Sequence, residues 1–291
     1  MLQIPIQSGK SRYAGKKVVL FLLIITVFSF SNCSESGINL FTDQDEVNLG
    51  AQVNSEIRSN PAEFPIYDRD PYLKNYINAN IFIPILNSPE VKKRGIYNYN
   101  LELIDDDSTL NAFATPGGYV YVYTGLLKYL DSEAALAGVL GHEIAHAERR
   151  HATQRITAYY GISILLSLIL GENPSQLAEL VANLFTGLAF LANSRANEDE
   201  SDDYSIRYLK STKYYPGGVK FFFEKMRDDG LVSSGSSQIL TFLSTHPDPV
   251  ERIKSADQRL TSQGIKVIPW TSNDADVFRS SYKNNIKNRL R

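Results

Sequence analysis

The 291-residue chain has one cysteine, Cys33, so no disulfide can form within it. An excess of charge of one sign is missing too. Thirty lysines and arginines face 32 aspartates and glutamates, a net charge of −2, and nothing in that balance points to nucleic acid. The four charges of the first 32 residues, Lys10, Arg12, Lys16 and Lys17, are all positive and leave a mildly acidic remainder. A bilayer span needs about 20 consecutive apolar residues. The apolar runs at 161–170 and 177–193 fall short of that, and Pro174 interrupts their union, so they read as core helices rather than a membrane hairpin. There is no internal repeat. Histidine is scarce as well, at four.

That scarcity makes one motif informative. Gly141-His142-Glu143-Ile144-Ala145-His146 carries a His-Glu-x-x-His pattern inside a run that reads as helix. His142 and His146 are four residues apart, so both imidazoles leave one helix face and can share a metal ion. Glu143, one step round, is placed to take a proton from an attacking water. Asp131-Ser132-Glu133 supplies a cap and an acidic first turn ahead of the apolar stretch that enters the motif.

Zinc hydrolases keep three protein ligands. His151 follows His142 by nine residues, about 180° round a continuous helix, which turns it away from the metal and makes it a surface or second-layer residue. Ser194-Arg195-Ala196-Asn197-Glu198-Asp199-Glu200-Ser201-Asp202 offers a better candidate. Glu198 and Asp202 share a helix face. Glu198 can bind the metal while Asp202 accepts from a ligand imidazole and sets its tautomer.

Elsewhere, helical spacing covers residues 43–58 and 70–83. Alternating residues at 97–104 suggest a half-buried strand. A strand pair at 111–114 and 119–123 is joined through Thr115-Pro116-Gly117-Gly118, which by itself reads as a turn. A helix is expected over 219–226, a loop over 233–237 and a polar helix or tail over 271–291. A basic leader and the apolar run from Val18 to Phe28 form a signal-like segment ending in Asn32-Cys33. It resembles a bacterial lipobox, in which the cysteine is lipidated; Asn32 departs from the usual Ala or Gly.

Taken in order, Asn111-Ala112-Phe113-Ala114-x-Pro116-Gly117-Gly118, Tyr123-Thr124-Gly125-Leu126-Leu127, the His-Glu-x-x-His helix, Ser194-Arg195-x-x-Glu198-x-Glu200-x-Asp202, and Ser244-Thr245-His246-Pro247 with Arg252 make the chain similar to the HtpX/CAAX-prenyl-protease family of zinc metallopeptidases. The periplasmic lipoprotein members are nearest in kind, and the match covers residues 43–259. Ser201 departs from the usual Ala, and the long membrane spans of other members are absent.

The resemblance implies an α+β, mainly helical fold: a minimal zincin (gluzincin) core with a small sheet over the active-site helix. It implies one Zn²⁺ per chain on His142, His146 and Glu198, with Glu143 catalytic and Asp202 and Arg252 supporting the ligands. His246 has two open roles, as an oxyanion donor or as a cap on the zinc in a resting state. Asn111, Ala112, Phe113, Ala114, Gly117 and Gly118 would bind an extended substrate strand. The expected organisation is a lipoprotein signal peptide over 1–32, a tether over 33–42, a zinc metalloprotease domain over 43–262 and a C-terminal extension over 263–291. The function implied is that of an envelope metalloendopeptidase acting on misfolded or mis-assembled proteins, periplasmic and lipid-anchored through Cys33 to a membrane, the outer membrane favoured. A chaperone-like assembly factor with a mostly closed metal site is the alternative.

Overall fold

The computed structural model describes residues 39–170, 193–234 and 242–290. The leader with Cys33, most of the apolar run at 177–193 and most of the 233–237 loop lie outside them. Helix α1 (Asp43–Ser59) starts at a capping box in which Thr42 and Asp45 satisfy each other's backbone N–H groups. Pro71 opens α2 (Pro71–Ile77), which continues through a π turn at Asn78–Phe82 into the short α3 (Ile83–Leu86). Strands β1 (Asn100–Ile104), β2 (Ala112–Ala114) and β3 (Tyr119–Tyr123) follow. They form a mixed sheet in the order β1-β3-β2, with β3 parallel to β1 and antiparallel to β2.

Alternation along the strands assigns two buried faces. Leu101, Leu103, Val120 and Val122 enter the main core, whereas Ile104, Tyr119 and Tyr121 pack with Leu49, Val53 and Ile57 of α1. Residues 97–104 therefore do not make the half-buried strand that their pattern suggests. Even Glu102 is buried, because Arg58 and Lys74 both pair with its carboxylate.

After a short helix α4 (Thr124–Tyr129) comes α5 (Glu133–Glu148), capped by Ser132, whose side chain accepts from Ala135 N–H. Every residue of α5 is buried. Its depth depends on glycine. A Cβ on Gly138 would lie 2.0 Å from the backbone nitrogen of Val219, and one on Gly218 2.0 Å from the carbonyl oxygen of Ala134. The pair lets α8 (Gly218–Asp228) touch α5 backbone to backbone. Between them in sequence run α6 (His151–Leu170), broken at Gly161, where φ is 73°, and α7 (Arg195–Leu209). Among the described residues no helix is long and apolar enough to cross a membrane.

Beyond α9 (Leu231–Ser234) and α10 (Pro249–Ser262), the chain ends in α11 (Arg279–Asn285) and a short 3₁₀ turn. The expected helix over 271–291 is there as α11, but it is not a polar appendage. Val277, Tyr282, Ile286 and Leu290 are buried in the main core, and the Tyr282 hydroxyl donates to Leu127 O at 2.6 Å. Residues 282, 286 and 290 are an apolar stripe of helical spacing in an otherwise polar segment.

Candidate active site

α5 presents His142, Glu143 and His146, and α7 crosses it with Glu198 and Asp202. The local cause in α5 is the helical repeat, and in α7 it is a cap: Ser194 accepts from Asn197 N–H and starts the helix four residues before Glu198. The Nε2 atoms of His142 and His146 are 2.9 Å apart. Glu198 Oε2 lies 3.4 Å from His142 Nε2, and its Oε1 lies 3.3 Å from His146 Nε2. His246 enters from the segment before α10, with Nδ1 3.1 Å from both Glu198 oxygens and its ring stacked on Phe242.

Ligand atoms from His142, His146, Glu198 and His246 all fall within 4.8 Å of one another, and all four residues are buried. Tetrahedral zinc with bonds of about 2.0–2.1 Å spaces its ligand atoms by about 3.3 Å. The nearest separations here, 2.9 to 3.4 Å within a group spanning at most 4.8 Å, are close to that spacing, and three imidazoles with one carboxylate form a donor set suited to one zinc ion.

Charge and hydrogen bonding then prepare each group. Asp202 takes Arg252 Nε and Nη2 at 2.8 and 2.7 Å and lies 2.8 Å from His142 Nδ1. With its Nδ1–H donated to that carboxylate, His142 would offer the Nε2 lone pair to a metal ion that displaces the proton there. Arg252 Nη1 also makes a 2.5 Å charge contact with Glu198 Oε2, at an angle unlike that of a hydrogen bond. Burial opposes ionisation of Glu198 and Asp202. It is outweighed, by His246 and then Arg252 at Glu198 and by Arg252 at Asp202, so both carboxyls are held below their ordinary range.

Burial and Arg252 would depress His142, yet Glu198 and Asp202 raise it to about 9. For His146 burial prevails, reinforced by His142, and its value falls well below the usual one. Glu143 goes the other way. Burial raises its carboxyl despite His246 and His142, the direction that suits a general base. A cavity of about 20 Å³, room for about one water, is bounded by Glu143, His146, His246, Phe113, Ala114 and Arg155.

The substrate residues named from sequence divide. Ala112, Phe113 and Ala114 form β2, the sheet edge beside Glu143, and buried Asn111 precedes them with its side-chain oxygen unpartnered. Gly117 and Gly118 are not brought to this cleft. They make a left-handed turn, φ 73° and 95°, against the α1 backbone at Glu46 and the ring of Tyr99, where a Cβ would clash at 2.8 Å in both cases. Their glycines serve the turn.

His151 takes the second-layer place that was one of its two expected positions, but it faces His146 instead of pointing away. The helix does not continue through it: α5 ends at Glu148, Arg150 takes a left-handed φ of 63°, and α6 starts afresh at His151. The restart cancels the angular count and brings His151 Nδ1 to 2.8 Å from His146 Nδ1, fully buried and outside the metal-ligand group. Arg155, one turn further along α6, went unnoticed in the sequence. Its Nη1 is buried beside the cavity without a hydrogen-bond partner, and burial draws its pKa down to about 10. Asn193, also missed, holds the His246 segment by donating to Thr245 O from its side chain and backbone. No local pattern marks either residue.

Comparison with known proteins agrees with this geometry. The profile of peptidase family M48 matches residues 71–260. The β-barrel assembly-enhancing protease of Escherichia coli is 32% identical over 208 residues, 68% of this chain and 41% of that protein. Its Yersinia pestis counterpart is 29% identical over 256 residues, 84% and 49% of the two chains. The mitochondrial metalloendopeptidase OMA1 of Schizosaccharomyces pombe is 28% identical over 200 residues, 68% and 58%. The matched stretch thus spans about half the length of these relatives.

Proposed function

The chain belongs to peptidase family M48, and from that premise we propose that it is a zinc-dependent metalloendopeptidase of the bacterial cell envelope that cleaves misfolded or mis-assembled proteins. One observation carries the reading: His142, His146, Glu198 and His246 converge within 4.8 Å around a position that Glu143 adjoins. Zinc held there would act as a Lewis acid toward a carbonyl and make water easier to deprotonate. Glu143 takes the proton of the attacking water and passes it to the leaving amine, a task helped by its raised pKa. Asp202 keeps the proton of His142 on Nδ1. An extended substrate pairs alongside β2 through backbone groups, which makes recognition depend on an unfolded segment more than on its side chains.

His246 acts as the cap. It stands inside the ligand group, against Glu198, where a fourth ligand would sit, and its segment bounds a cavity too small for a peptide. The chain is tethered in the periplasm through lipidated Cys33, the outer membrane favoured. The leader pattern supports this reading, and the name of the β-barrel assembly-enhancing relatives accords with an envelope setting. His142, His146 and Glu198 are the metal ligands, within a protease domain over 43–262 that the 263–291 extension helps to close. The small size of the cavity, room for about one water, favours as a second reading an assembly factor whose metal site opens only rarely.

Purified protein incubated with casein or unfolded outer-membrane protein tests the proposal. Glu143→Gln should keep zinc and lose hydrolysis, whereas His146→Ala should lose zinc. His246→Ala should raise activity if the residue caps the site; a fall of roughly 10²-fold with zinc retained would make it an oxyanion donor instead. Full hydrolysis by Glu143→Gln, or stoichiometric zinc in His146→Ala, would overturn the assignment.

A further inference from the structure

The two histidines of the motif are supported differently. His142 meets a carboxylate directly, Asp202, at 2.8 Å. Behind His146 stands another imidazole. His146 Nε2 faces the ligand group, while its Nδ1 lies 2.8 Å from Nδ1 of His151. On the far side, His151 Nε2 is 2.9 Å from Glu200 Oε2, and Glu200 Oε1 accepts from Arg149 Nε at 2.8 Å. Ser201 Oγ is a longer neighbour of His151 Nδ1, at 3.3 Å.

Hydrogen-bond direction follows from what each group can do. An ionised carboxylate only accepts, so Glu200 requires the hydrogen of His151 on Nε2. A neutral ring protonated there has a lone pair on Nδ1. That atom must accept; Ser201 Oγ can reach it too, but two bare Nδ1 atoms 2.8 Å apart would repel, so the contact requires a hydrogen on His146 Nδ1. With its hydrogen on Nδ1, His146 keeps a lone pair on Nε2, as a metal ligand must. The opposite direction would put the proton on the ligating nitrogen.

We propose that His151 and Glu200 are positioning residues that fix the tautomer and ring orientation of His146 through an Arg149–Glu200–His151–His146 hydrogen-bond chain. The carboxylate acts one ring removed from the ligand. Arg149 holds Glu200 from outside, and the left-handed turn at Arg150 brings His151 back against the end of α5. This inference rests on His146 being a metal ligand, as the proposed function has it.

Two readouts other than activity test it on the full chain. Competition of zinc against a chromophoric chelator should show affinity 10- to 100-fold weaker in His151→Ala, about the usual effect of losing such support. Glu200→Gln should weaken it less. His151→Asn places an oxygen acceptor near the lost Nδ1 and should recover most of the affinity. Long-range proton–nitrogen NMR of the zinc-free protein should find His146 protonated on Nδ1 in the wild type and on both nitrogens, as a mixture, in His151→Ala. Four histidines keep such spectra assignable. Wild-type zinc affinity in a folded His151→Ala, no recovery by His151→Asn, or a wild-type His146 protonated on Nε2 would overturn the chain. Wild-type protein that binds no zinc would instead sink the proposed function.

Discussion

Arg252→Met tests the electrostatics of the site most directly. The substitution keeps an unbranched apolar stem but removes the guanidinium that, among the described residues, Glu198 and Asp202 share. All three side chains are nearly inaccessible, at 7%, 2% and 1% exposure. Water cannot take over the solvation of the two carboxylates left behind. Removing one partner of a buried pair typically costs about 3–5 kcal/mol. In a domain of this size each kcal/mol moves the melting temperature by about 2–4 °C, so the chelator-treated variant should melt roughly 6–20 °C below the chelator-treated wild type. Zinc should narrow the gap, because its charge replaces that of Arg252 beside Glu198 although not beside Asp202. Arg252→Lys, which keeps a charge without the fork that grips Asp202, should fall between the two. Scanning calorimetry with chelator and with added zinc provides the measurement. A metal-free Arg252→Met within 2 °C of wild type would refute the argument, since it would mean that the carboxylates are not held by this residue.

Two other outcomes follow from packing and titration. Gly138→Ala sets a methyl group 2.0 Å from the Val219 nitrogen and 2.3 Å from the Gly218 carbonyl carbon, so α5 and α8 must part. Overpacking commonly costs about 1–3 kcal/mol, and with backbone on both sides the upper end is expected, a melting temperature lower by at least ~6 °C; a change under 2 °C would show that the helices yield freely. Asp202 has an ordinary value of 3.8 and titrates lower in the fold, so its contribution is complete above that value and disappears as pH falls through the folded one. In zinc-free protein the stability advantage of wild type over Asp202→Asn should therefore close below about pH 4. Melting curves from pH 7 down to the acid transition would show it, and a gap constant with pH would remove Asp202 as the titrating group.

What was legible in the sequence was what depends on local repeat. The 3.6-residue period alone puts His142 with His146 and Glu198 with Asp202, and alternation alone turns Leu101 and Leu103 away from Glu102 and Ile104. The same logic turned His151 away from the site when it in fact backs His146, because it assumes one unbroken helix. Arg149-Arg150 contains no glycine or proline to announce the break, and the left-handed Arg150 is held by contacts distant in sequence, with Asp43 and Glu46 of α1. Gly117 and Gly118 were correctly a turn in their own right, and it is the sheet and α1 that keep them from the cleft.

Residue order alone carries the available chemistry: which residues can bind a metal, which can move a proton, and which pairs share a helix face, since covalent spacing sets those directions. How those pairs meet depends on contacts between distant elements. Crossing of α5 and α7 brings two helix faces together, and the segment from Phe242 to Arg252 adds His246 and the guanidinium that neutralises their carboxylates. It also buried the C-terminal stripe of Tyr282, Ile286 and Leu290, whose polar neighbours conceal it. Charges this close are tolerable only when their counter-charges arrive with them. That balance is a property of contacts many residues apart, and no local pattern encodes it.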